Sequence, residues 1–490
     1  MNSTNRLALR GICAVLALPG ALLAAPAFAQ PTPAAPAAQG AAVATPPPGP
    51  AARAAVPDPL AIALAPQPGG LTPDEAGKIA GKTKHSVRGK QADLEAASAK
   101  VDQAFVGYFP RLALSATYTR LSDVPPIRFG AVTVPPILNS TAFVASLSIP
   151  VSDYIFRISQ AYSAASHSEK GKRLELEAET LQAAADAKIA YYNWLRARGS
   201  VVVTRQAVEQ SRAHVDDANK TFNVGLISKA DVLRLEAQLA GAQQSAAETE
   251  ALSLLSEEQL RILLVIPAGQ ALSIGGDVMH EQAPAPTETL PALQDLAMSR
   301  RLEIRALDET DLSLKETVGL ARAGYLPRLD VFADATMANP NQRILLGGAE
   351  FYGTWDAGAR LSWTLNDSFV AAGATAEAKA RVASLAEQKG ILRDGLRLEV
   401  VSAYADMQKS VATIEASERQ LTASEESLRV RNELFKNGKA TSVELVDAEA
   451  EVTRARLGRL NARIGLAVAR VRLDHATGRD VAPRPVGAAE

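Results

Sequence analysis

Two acidic side chains stand one helical turn apart near the C-terminal end of the chain, Glu444 and Asp447. Carboxylates held that close raise each other's proton affinity and attract cations. At the start of a helix they also stabilise the positive end of its dipole. Asp231 holds the matching place about two hundred residues earlier, at the start of another helical stretch. Nothing nearby converts these acids into catalysts. There is no nucleophile elbow, HExxH sequence or phosphate-binding glycine loop, so a hydrolase carried on a helical scaffold is disfavoured. The five histidines (85, 167, 214, 280 and 475) lack metal-ligand spacing, and surface positions are expected for them. No metal or cofactor is expected. The one cysteine, Cys13, lies in the N-terminal apolar stretch. The rest of the chain therefore has no disulfide, zinc–thiolate site or cysteine nucleophile.

The elements that position these acids repeat. GYFPRLALSATYTR begins at Gly107 and GYLPRLDVFADAT at Gly324. Each copy stops a helical pattern with Gly107 and Pro110, or Gly324 and Pro327, then switches to an alternating pattern. Leu112, Leu114, Ala116 and Tyr118 share one strand face, and Phe143, Ala145, Leu147, Ile149 and Val151 share another. In the second half Leu329, Val331, Ala333 and Ala335 alternate with Asp330, Phe332, Asp334 and Thr336. Trp355, Ala357, Ala359, Leu361, Trp363 and Leu365 alternate with Asp356, Gly358, Arg360, Ser362 and Thr364. Each stretch is about ten residues, enough to cross a bilayer as a tilted strand. Asp330, Asp334, Asp356 and Arg360 are candidates for the interior wall, and Trp355 and Trp363 for an aromatic girdle or the lipid face. PPIRFGAVTVPP, between the first two strands, reads as a Pro-rich loop.

Long helices follow each strand pair. Helical patterns run over 71–106, 154–221, 231–265, 369–436 and 443–476. Thr72, Pro73, Asp74 and Glu75 form a strong start for the first. The last carries a heptad seam of Val443, Ala450, Leu457, Ile464 and Val471, with Val446, Thr453, Leu460 and Ala467 three positions on. The turns joining the long helices repeat as well. Val224, Gly225, Leu226 and Ser228 form one turn and Asn437, Gly438, Lys439 and Ala440 the other, with glycine ending one helix and Ser228, Thr441 or Ser442 capping the next.

The expected organisation is a signal peptide over 1–29, with Ala27-Phe28-Ala29 as its cleavage site, and a disordered Ala/Pro-rich leader over 30–70. A first helix–strand–strand–helix–helix repeat (71–266), a linker (267–290), a second repeat (291–478) and a tail (479–490) complete it. Fifty-two basic against 53 acidic residues leave a net charge of −1, which argues against a nucleic-acid partner. No later stretch is a transmembrane helix, yet four strands cannot close a barrel. The strands must be pooled between chains.

The order and duplication of these motifs resemble the TolC family of outer-membrane efflux proteins over about 71–478. The doubled GY(F/L)PRL junctions, the F-x-x-G turns, and helix ends of the form L-x-x-x-x-G (Leu264–Gly269 and Leu473–Gly478) carry the resemblance. It implies a mainly α chain with membrane β-structure. Three copies would form a twelve-stranded barrel, four strands from each, continued by a long α-helical coiled-coil barrel into the periplasm. It implies a homotrimer in outer-membrane lipid that is not an enzyme and that exports small toxic compounds. Its partners would be a periplasmic adaptor and an inner-membrane transporter. The resemblance assigns Glu444, Asp447 and Asp231 to the closed periplasmic mouth. It assigns Val224, Gly225, Leu226, Ser228, Asn437, Gly438, Lys439 and Ala440 to adaptor-docking tips. A type I protein-secretion outlet is the alternative cargo reading, and a periplasmic coiled-coil scaffold the alternative architecture. The chain departs from the family after its second and fourth strands. It reads VSDYIF and LNDSFV where many members carry a glycine pair, and the fourth strand lacks a counterpart of Pro150.

Overall fold

A computed structural model of the chain describes residues 59–130, 132–134, 136–267, 269–277, 287–344 and 350–481. The expected signal peptide, most of the leader, His280 and the last tail residues lie outside these. All described residues belong to one compact unit.

The first repeat contains α2 (Pro73–Thr83), α3 (His85–Val106), β1 (Arg111–Arg120), β4 (Asn139–Ile149), α5 (Ser159–Asn223) and α6 (Lys229–Leu264). The second contains α7 (Leu290–Arg300), α8 (Leu302–Arg322), β5 (Arg328–Asn339), β6 (Tyr352–Ser362), α9 (Asp367–Lys436) and α10 (Ser442–Ala476). At 65 and 70 residues, α5 and α9 are each about 100 Å long.

Five details differ from the sequence reading. The 71–106 helix is broken at Lys84, whose ψ of 134° is extended. Arg301 breaks the second repeat at the same place with ψ 125°. No Gly or Pro marks either break. Tertiary anchors hold them: Lys84 reaches Asp186 at 2.9 Å, and Arg301 reaches Glu303, Glu399 and the His475 carbonyl.

Residues 59–70 of the expected disordered leader are folded. There α1 (Pro59–Ala63) and the turn after it bury Leu60 and Leu64 against the helical core, and Leu71 bridges to Ile274 in the linker. Two leucines are enough to draw this segment onto apolar surface.

The Pro-rich loop contains a small hairpin, β2 (Ile127–Phe129) and β3 (Val132–Val134), reversed at Gly130 with φ +60°. The strands also end earlier than the alternation does. Val151 lies in the short helix α4 (Val151–Asp153), and Trp363 to Leu365 lie past β6.

The heptad seam is half of the packing of α10. Leu457, Leu460, Ile464, Ala467 and Val471 join a core with Tyr191, Trp194 and Leu195 of α5. A second line, Leu466, Ala469, Leu473 and Ala476, packs on Val400, Ala403 and Met407 of α9. Val443 is exposed. A helix lying between two partners needs two apolar stripes, and a single-seam pattern finds only one.

The sheet has the order β1-β4-β5-β6, all antiparallel. Register lines up an apolar row of Leu114, Ala145, Ala335 and Trp355 on one face. The neighbouring row on the other face is Ala113, Ser146, Asp334 and Asp356. Asp330 opposes Arg360 on that same face, where the Arg360 guanidinium lies 5.0 Å from the Phe332 ring centroid. Trp355, Leu112 and Leu114 are strongly exposed on the apolar face. Strands β1 and β6 form the two edges.

Candidate functional site: hairpin tips and strand junctions

Each long-helix pair turns through the same two devices. At the first tip Gly225 has φ +77°, its N–H donates to the Phe222 carbonyl, and Leu226 N–H donates to the Thr221 carbonyl. At the second, Gly438 has φ +67°, with Gly438 N–H donating to Phe435 and Lys439 N–H to Leu434. These are paired 5→2 and 6→1 bonds around a left-handed residue, which glycine adopts without a Cβ clash. Ser228 then caps α6, accepting from Asp231 N–H, and Thr441 caps α10, accepting from Glu444 N–H. Val224 and Leu226 are 69% and 76% exposed, so the first tip presents apolar surface. The second presents Asn437 and Lys439 instead.

The three candidate acids have different surroundings. Asp231 accepts from the backbone and hydroxyl of Ser228 and from Ser442 Oγ at 2.5 Å. Ser442 therefore links the two tips rather than capping its own helix. The Ser228 hydroxyl, followed by that of Ser442, holds the Asp231 carboxyl below its ordinary pKa. Beneath this bond Val232, Leu235 and Ala218 pack with Phe435 and Val446. Glu444 accepts from Thr441 N–H at 3.1 Å and lies 3.7 Å from Arg431. Asp447 is exposed and has no ion-pair partner among the described residues. The tips thus gather all three acids at one end of the helices, with Asp447 the least engaged.

At the opposite end of the long helices, Gly107 and Pro110 lie between α3 and β1, and Gly324 and Pro327 between α8 and β5. A Cβ on Gly324 would come within 2.9 Å of the Ala371 Cβ in α9, so this glycine permits close helix approach. The VSDYIF departure takes physical form here. After Pro150, α4 runs into a π-helical turn, Tyr154–Ile158, before α5. This turn buries Asp153, which pairs with Arg328 at 2.6 Å and Arg157 at 3.5 Å, while Ser152 Oγ accepts from Leu329 N–H. The fourth strand passes into α9 through ordinary backbone turns over 364–367.

Two expectations are corrected. The histidines are not all surface residues: His475 is 8% exposed, between Asp480 and Gln182. His167 pairs with Glu309 at 2.8 Å, and His214 with buried Glu449. No group of metal-ligating side chains occurs among the described residues. The helix ends also align differently. Gly478 (φ +67°) terminates α10 through Arg479 N–H to Asp474, whereas Val265 (φ +56°) terminates α6 through Ile266 N–H to Arg261. The offset relating the two tip glycines (438 minus 225) pairs Gly478 with Val265 and Leu473 with Leu260, not with Gly269 and Leu264. Asp153, Arg328, His214 and Glu449 escaped sequence reasoning as partners. Only the first carried a signal, the departure from the glycine pair.

Membrane-length antiparallel strands with one apolar face, rooted on helical hairpins about 100 Å long, define an outer-membrane channel subunit reaching into the periplasm. Residues 79–264 and 293–479 match the outer membrane efflux protein family, and the chain belongs to that family. The chain is 23% identical to outer membrane protein TolC of Escherichia coli (strain K12) over 406 residues, 80% of this chain and 79% of the relative. Among solved structures, the Campylobacter jejuni CmeC outer membrane channel aligns with TM-score 0.72 at 16% identity, covering 84% of this chain and 88% of that one. The outer-membrane channel OprN aligns with TM-score 0.70 at 19% identity, covering 83% and 89%. The two matched segments lie on either side of residues 265–292.

Proposed function

We propose that three copies of this chain close a twelve-stranded barrel and a continuous helical tunnel, forming the exit duct of a tripartite export system. The carrying observation is the sheet: four antiparallel strands, apolar on one face, with β1 and β6 as open edges. An open edge in lipid leaves each unpaired backbone group at a cost of several kcal/mol, so β1 of one copy must meet β6 of the next. Two copies would give about eight strands, whose interior fills with side chains; about twelve leave a passage. The duct passes small toxic compounds to the exterior and catalyses no reaction. Its partners are a periplasmic adaptor, which meets the tips at Val224–Ser228 and Asn437–Ala440, and an inner-membrane transporter. Three copies bring Glu444 and Asp447 together as an acidic ring at the periplasmic mouth, with Asp231 as its structural support.

The test is single-channel conductance of the detergent-purified protein in planar bilayers, beside heat-modifiable bands in outer-membrane fractions. Trimer bands with a small, cation-selective conductance are expected, and Glu444→Ala/Asp447→Ala should alter the selectivity. A conductance indifferent to that change would move the gate elsewhere. Protein that neither conducts nor requires detergent would overturn the tunnel.

A further inference from the structure

The pair formed by His214 and Glu449 is the least explained ionisable group in the helices. Glu449 is 5% exposed, and among the described residues its two oxygens have no hydrogen bond of acceptable geometry. Among the described residues the His214 Nε2 atom is its one ionic contact, with the imidazole side chain 16% exposed. His214 lies on α5 and Glu449 on α10, so the pair crosses from the first repeat to the second, a few turns above the tips.

The surroundings leave this carboxylate to the imidazole. On α5, Asp217 is paired with Lys220, and Arg212 with Glu209. On α9, Glu425 takes Arg456, and Glu426 takes Arg429. On α10, Glu451 takes Arg454 and Gln420, while Glu444 lies by Arg431 and Asp447 faces solvent. From α6, the stretch between Glu236 and Glu248 carries no charged residue at all. A buried carboxylate needs a compensating charge, and an imidazole is the side chain that gains or loses one between about pH 5 and 8.

We propose that His214 and Glu449 form a pH-sensitive clasp that sets how tightly the α9–α10 hairpin is held against α5 near the periplasmic mouth. With the imidazole protonated, the pair is a neutralised ion pair and the hairpins are held together. With it neutral, the buried carboxylate loses its compensating charge and the hairpin is released more often. The second hairpin carries Glu444 and Asp447, so the clasp connects ambient acidity to the mouth. Only its effect on conduction rests on the tunnel reading; the packing effect does not.

The experiment is hydrogen exchange on the full-length protein in detergent, at about pH 8 and about pH 5.5, corrected for intrinsic exchange. In the wild type, segments 205–220 and 442–456 should be several-fold better protected at the lower pH. His214→Gln and Glu449→Gln should abolish that difference. His214→Lys, a cation at both pH values, should hold the protected state throughout and keeps the test open if the Gln variants fail to assemble. His167→Gln and His475→Gln, which remove the other imidazole contacts, should leave it intact. Wild-type protection that does not change with pH overturns the clasp, as does full pH response in His214→Gln. If exchange responds and bilayer conductance does not, the clasp stands and its link to the mouth is overturned.

Discussion

Asp153 Oδ2 lies 2.6 Å from Arg328 Nη2, joining the last residue of α4, just before the π-helical turn, to the first residue of β5. The contact spans the two repeats. Asp153 is buried and also holds Arg157, whose guanidinium donates to the Ala323 carbonyl. Strand entry in the second repeat is thus fixed by a carboxylate from the first.

Breaking this contact should loosen the foot of the sheet. Arg328 is about half exposed, so the coupling in a double-mutant cycle of Asp153→Asn with Arg328→Gln should be modest, about 1 kcal/mol. Each single variant should lower the temperature at which oligomer bands dissociate on semi-native gels. The double variant should fall short of the sum. Strict additivity would show that the two side chains act independently.

The helix ends offer a substitution that stabilises. Val265 holds φ +56°, where the equivalent Gly478 has no Cβ to strain. Val265→Gly should raise the thermal midpoint, through a gain of about 0.5–1 kcal/mol after glycine's greater unfolded freedom is subtracted. Gly478→Ala should lower it, because its Cβ would sit 2.9 Å from the Arg300 Cβ. A midpoint lowered by Val265→Gly would contradict the strain argument.

Capping and gating can be separated at the second tip. Thr441→Ala removes the acceptor of the Glu444 N–H and should cost about 1 kcal/mol of stability with cation selectivity unchanged. Asp447→Asn removes an exposed charge outside the cap and should do the reverse. Reversal potentials in a salt gradient, read beside thermal melts, distinguish the two.

Acid should weaken the link between the tips. The Asp231 pKa is depressed, so its ionised form stabilises the fold above the ordinary carboxylate pKa. That contribution is lost as pH falls from about 4 through the lower folded value. Asp231→Asn should flatten this acid limb of the stability curve and leave neutral pH less affected. An unchanged acid limb, followed by circular dichroism, would mean that Ser228 and Ser442 do not favour the charged form.

The strand faces, the long helices and the tip turns are legible along the chain. Each is written in local terms: alternation such as Leu112, Leu114 and Tyr118, glycines at 225 and 438, caps at Ser228 and Thr441. Backbone sterics and side-chain period act over a few residues, so they can be read along the chain. Which distant residues meet is set only when the elements pack. The breaks at Lys84 and Arg301, the second stripe of α10, the Ser442–Asp231 bond, the Asp153–Arg328 pair and the His214–Glu449 clasp all depend on partners far away in sequence. Their energies come from burial and charge pairing between elements, and no periodicity records those.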